Sequence, residues 1–158
     1  MPRPCLFVRS VDLDAPVEVV FAFHGDVHNV GRISPGWQAV TVARGEHTPR
    51  VGEEFEIVVR FFGLLPMRWR GVWHEISAPD VVVDQALHSP FAFWRHRHEF
   101  RALSANRTRM TDHVEYQFPG GWLGKWFGET AGRLQFRLMF ADRHARTRRW
   151  MHDHGLES

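Results

Sequence analysis

Two histidines one residue apart, His96 and His98, sit in the stretch FAFWRHRHEF at positions 91–100. Polar and apolar residues alternate here, so the stretch is expected to be a β-strand with side chains on opposite faces. Arg95, Arg97 and Glu99 then face water, while Trp94, His96, His98 and Phe100 share the other face. Two imidazoles on the apolar face of a sheet can be metal ligands, an acid and a base, or polar points in a cavity.

A carboxylate partner is within reach. The next strand, 108–118, places Met110, Asp112, Val114 and Tyr116 on one parity. Pairing across the short turn at 103–108 brings residues near 98–100 opposite those near 110–112. Asp112 can therefore meet His98 or His96. A carboxylate beside an imidazole fixes its tautomer and favours its protonated form, which is the logic of a general base and its orienter. A buried His–Asp pair can equally satisfy itself and do nothing but hold register. The metal reading is weaker. His-x-His on a strand is also the cupin spacing, but cupins need a glutamate three or four residues further on and another histidine on a later strand. Glu99 follows at once on the opposite face, and His74 lies on the wrong parity. No metal and no cofactor are expected. Cys5 is the only cysteine, so no internal disulfide or cysteine cluster can form. No nucleophile elbow, phosphate loop or dinucleotide fingerprint is present.

These residues need a scaffold. A first strand reads CLFVRSVDLD at 5–14. Asp14 is expected to cap a helix, Pro16 to open it, and Gly31 to close a pair of short helices. Five further strands are expected at 37–44, 53–62, 67–76, 81–87 and 91–100, with the last at 108–118. Pro119, Gly120 and Gly121 end the sheet, and 123–152 reads as one long helix. Its expected buried stripe is Leu123, Phe127, Ala131, Leu134, Leu138, Ala141 and Ala145. Gly124, Gly128 and Gly132 cost helix propensity and are expected to leave room between helix and sheet. The order predicts an α+β fold: a curved seven-stranded antiparallel sheet around a long C-terminal helix, with two short helices after strand 1.

The bulk numbers agree with a globular chain. The 158 residues, 44% hydrophobic, suggest one domain over 1–158. No apolar run is long enough to span a bilayer and no signal-peptide core is seen, so a cytoplasmic protein is expected. The net charge of +2 and the lack of nucleic-acid motifs argue against nucleic-acid binding. The basic run at 143–150 reads as a solvated helix end. Seven tryptophans and thirteen phenylalanines exceed what a small helix-backed core needs. Phe55, Phe61, Trp69, Trp73, Trp94, Phe100 and Tyr116 share the inner parity and are expected to wall a cavity.

The segments DLDAPVEVVFAFHGD, VDQALHSPFAFWRHRHEF and TRMTDHVEYQFPGG carry a resemblance. The chain resembles the START-like helix-grip superfamily (SRPBCC), which includes polyketide cyclases/dehydrases and birch-pollen-allergen-like proteins. It is similar to a ligand-binding subgroup found alone or as the N-terminal part of cell-division-inhibitor-like epimerases; a fused epimerase domain is not expected here. Ser89 stands where that subgroup has glycine, and Gln85 directly follows Asp84. The resemblance implies a helix-grip fold and binding of a hydrophobic or amphipathic small molecule between helix and sheet. The expected contacts are the seven rings above with Gln85, His96, His98, Met110, Asp112, Phe127 and Leu134. The alternatives are a cyclase or dehydratase using His96, His98 and Asp112 as an acid–base set, and a regulatory interaction module, monomeric or homodimeric.

Overall fold

The computed structural model describes residues 3–155. Met1, Pro2 and residues 156–158, the ends of the expected domain, lie outside it.

Seven antiparallel strands form one sheet in the order β1-β7-β6-β5-β4-β3-β2. They are β1 (Cys5–Leu13), β2 (Gln38–Arg44), β3 (Glu54–Phe61), β4 (Pro66–Ser77), β5 (Val81–His88), β6 (Phe93–Ser104) and β7 (Arg107–Gln117). From β2 to β7 each strand pairs with the next in sequence. β1 closes the other edge against β7, so the β1–β2 connection must cross the whole sheet. Two short helices, α1 (Val17–Gly25) and α2 (Val30–Ile33), make that crossing. Asp14 does not cap α1: the cap position is Pro16, whose carbonyl accepts from the Val19 and Val20 amides. Proline has already fixed its backbone angle and needs no partner for a missing N–H. The crossing is instead tied down by Thr108, whose buried hydroxyl donates to the Ala15 carbonyl at 2.8 Å.

The strand alternation holds along β6 and β7. Trp94, His96, His98 and Phe100 are buried, as are Met110, Asp112, Val114 and Tyr116. His98 lies opposite Asp112 and Phe100 opposite Met110, within the expected register.

The long helix covers this face. It runs from Gly121 to His154 as α3 (Gly121–Phe127), a π-helical turn (Gly128–Gly132) and α4 (Arg133–His154). Its phase differs from the expected stripe. Leu123, Phe127, Leu134 and Leu138 are exposed, Leu138 at 66%. The buried line is Gly124, Gly128 and Gly132, then Phe136, Phe140, His144, Thr147 and Met151. Nor do the glycines open space. A Cβ on Gly124 would run into the carbonyl oxygens of Pro119 and Phe118, and one on Gly132 would come within 2.7 Å of the Phe118 ring. They let the helix press against the end of β7, where the Tyr116 hydroxyl donates to the Gly128 carbonyl at 2.8 Å. Two apolar clusters fill the interior. One gathers α1 with Phe55, Trp73, Phe100 and Met110; the other joins Phe7, Trp94, Tyr116, Phe136 and Phe140. Among the described residues, no helix is long and apolar enough to cross a membrane.

Candidate functional site

Asp112 is the centre of the buried polar cluster. It is 1% exposed and sits on β7 between the two apolar clusters. Three imidazoles surround it. His96 Nε2 is 2.8 Å from Oδ1, His144 Nε2 is 2.5 Å from Oδ2, and His98 Nδ1 is 2.6 Å from Oδ1. The His98 approach is short but off the ideal hydrogen-bond line. Burial pushes the Asp112 carboxyl up, but the neighbouring His98 and the N–H groups of His144, His96 and His98 outweigh it and hold it well below the usual range. Asp112 is therefore an ionised acceptor.

The histidines respond in the opposite sense. Burial, helped by His96, pulls His98 down to about 4, against the attraction of Asp112. Burial also lowers His96, again opposed by Asp112. His24 on α1 is pulled down to about 3 by burial and by His98. Its Nδ1 donates to the Val20 carbonyl at 2.8 Å, while its Nε2 is buried without a partner. All these rings are neutral near pH 7.

In front of the histidines lies a cavity of about 330 Å³ between the sheet and α4. Of the expected contacts, Phe55, Phe61, Trp69, Trp73, Trp94, His96 and His98 line it. The others do not. Asp112 stands behind the histidines. Tyr116 is engaged with Gly128, and Phe100 and Met110 are packed into the α1 side of the core. Phe127 and Leu134 are 42% and 59% exposed, because the helix phase turns them outward. Gln85 faces away from the cavity and accepts from Arg95 at 3.0 Å.

The β5 residue that does enter is Asp84, opposite His96 in the sheet register. Its Oδ2 is 3.9 Å from His96 Nδ1. Burial raises its carboxyl to about 6, with His98, Arg143 and the Trp94 indole pulling the other way. Arg143, from α4, lines the same cavity; burial lowers it, against the attraction of Asp112 and Asp84. Sequence reasoning missed Asp84, His24, Arg143 and His144. For Asp84 the only signal was its motif position, since β5 does not alternate cleanly: Val82 and Val83 are both buried. His144 and Arg143 were hidden by the misassigned helix phase.

The arrangement can hold an apolar molecule against rings and present polar groups at one wall. Among the described residues, two groups could offer metal donors: Asp84, His96 and His98 inside, and Asp26, His28 and His47, of which Asp26 lines the cavity. The sequence model of the polyketide cyclase/dehydrase and lipid transport family matches residues 13–142. The chain belongs to that family. Its polyketide cyclase/dehydrase fold recurs in solved structures. A protein from Arthrobacter aurescens is 20% identical, with 90% of this chain and 85% of that one covered at a TM-score of 0.70. One from Nitrosomonas europaea is 15% identical, with 94% of each chain covered at 0.71. Norcoclaurine synthase from Thalictrum flavum, in complex with dopamine and hydroxybenzaldehyde, is 10% identical, with 95% and 87% covered at 0.67. At these identities the likeness is one of fold. No curated protein matches the chain.

Proposed function

We propose that this protein binds a hydrophobic or amphipathic small molecule in the cavity between the sheet and α4. The observation that carries the reading is the cavity itself: about 330 Å³, walled by Phe55, Phe61, Trp69, Trp73 and Trp94, with Asp84, His96, His98 and Arg143 converging on it. Ligand sites are typically apolar hollows of roughly this size or larger with a few placed polar groups. The volume is at the low end of that range and suits a compact aromatic or a short acyl chain. The family description includes lipid transport, and the fold in norcoclaurine synthase holds two small aromatic molecules, which supports the same use here.

The test is direct. Native mass spectrometry of freshly purified protein is expected to show a co-purified small molecule. Apolar compounds are expected to raise the melting temperature and quench tryptophan emission, and Trp94→Ala is expected to remove most of that quenching. If no member of an aromatic and acyl library shifts the melting temperature, the reading fails.

Acid–base catalysis of the cyclase or dehydratase type is a second reading. It is favoured by one observation: His96 is held at Nε2 by Asp112 while its Nδ1 faces Asp84 at the cavity wall. An imidazole so positioned can take a proton from a bound molecule. Loss of turnover in His96→Ala with binding retained would support it; unchanged turnover would reject it.

A further inference from the structure

We infer that Asp84, His96 and His98 form a site for a divalent first-row transition metal, with Asp112 holding the two rings from behind. One donor atom from each of the three residues lies within 4.8 Å of the other two. Zinc, with nitrogen and oxygen ligands at about 2.0–2.2 Å, keeps its donors roughly 3.4 Å apart, so side-chain adjustment of about 1 Å closes the set. This departs from the expectation of no metal, which rested on a missing glutamate. The carboxylate comes instead from the neighbouring strand β5.

The protons on the rings supply the second argument. At 2.8 Å from Asp112 Oδ1, His96 Nε2 is placed to donate its hydrogen to the carboxylate. That leaves the lone pair of this ring on His96 Nδ1. His96 Nδ1 faces Asp84 Oδ2 at 3.9 Å. A cation held there would be coordinated by both. An imidazole donating to a carboxylate on one side and ligating on the other is how metal sites fix ring orientation.

Two imidazoles and one carboxylate suit zinc, cobalt, iron or nickel, whereas magnesium and calcium prefer oxygen ligands throughout. Three protein donors leave coordination positions free on the cavity side.

The other candidate group differs. Both oxygens of Asp26 are already engaged, by His28 Nδ1 and His47 Nδ1 at 2.8 Å each, and His47 is 75% exposed. It serves as the control.

The experiment uses the full chain, stripped with EDTA and titrated with Co²⁺, then Zn²⁺, and needs no organic ligand. Its failure therefore leaves the ligand-binding reading standing, and the converse holds. We expect one Co²⁺ per chain with a visible ligand-field band that Zn²⁺ displaces. The double variant His28→Gln/His47→Gln should keep the band. Asp84→Asn and His96→Gln should abolish it, and Asp112→Asn should weaken affinity about 10–100-fold. The metal-free melting temperature of Asp84→Asn checks that it is folded. No Co²⁺ binding, a band that survives in folded Asp84→Asn, or a band lost only in the His28/His47 double variant would each overturn the inference.

Discussion

His24 shows most plainly what burial does to a single side chain here. One nitrogen donates to its own helix and the other is sealed in without a partner. In the unfolded chain the ring takes a proton below about pH 6.5; in the folded protein it resists until about 3. Its neighbour His98 adds to that resistance, while the Val20 carbonyl and Asp112 oppose it. Between those limits the unfolded state binds the extra proton, so stability falls as the pH drops. In EDTA-treated protein, His24→Leu should move the acid-unfolding midpoint, followed by tryptophan emission, to lower pH. An unchanged midpoint would mean that His24 contributes nothing to acid sensitivity.

At the scale of elements, the C-terminal helix is shaped by what it must touch. Its first half presents Gly124, Gly128 and Gly132 to the end of β7, and the π turn lies between Gly128 and Gly132. Alanine is ordinarily better than glycine inside a helix by about 1 kcal/mol. At Gly124 the order should invert, because the added carbon meets backbone carbonyls that cannot swing aside. Gly124→Ala is therefore expected to lower the urea midpoint. A rise would show that the close approach at β7 is not needed. The same geometry explains why a stripe of leucines misled: hydrophobicity pointed to Leu134 and Leu138, whereas the face pressed on the sheet is marked by small residues and then by Phe136 and Phe140.

For the whole molecule, the consequence of wrapping a curved sheet around one helix is a hollow that neither apolar cluster fills. Val59, buried on β3, forms part of its wall. Val59→Phe should fill part of the space. Ligand-free protein is then expected to melt at or above the wild-type temperature, since a cavity leaves its lining atoms without partners. The shift produced by apolar compounds should shrink or vanish. If the ligand-induced shift were retained in full, binding would lie elsewhere.

The sequence alone determined the strands, their order, and the inward face of β6 and β7. Period-two alternation is a local property, and β6 and β7 carry it over their buried lengths. His96, His98 and Asp112 were legible as neighbours for that reason, since a short turn leaves little choice of register. Only the tertiary structure decided what surrounds them. β5 has too continuous an apolar run to reveal which face Asp84 takes, and its pairing with β4 shifts register near Trp73. The helix residues His144 and Arg143, and His24 from the crossing, come from segments whose buried side depends on how they land on the sheet. That landing is set by long-range steric fit, glycine against β7 and phenylalanine against the strands, which no periodicity along the chain encodes. Between them, the strand pattern placed two histidines and an aspartate indoors, and the landing of the helix supplied the cavity, the arginine and the third imidazole.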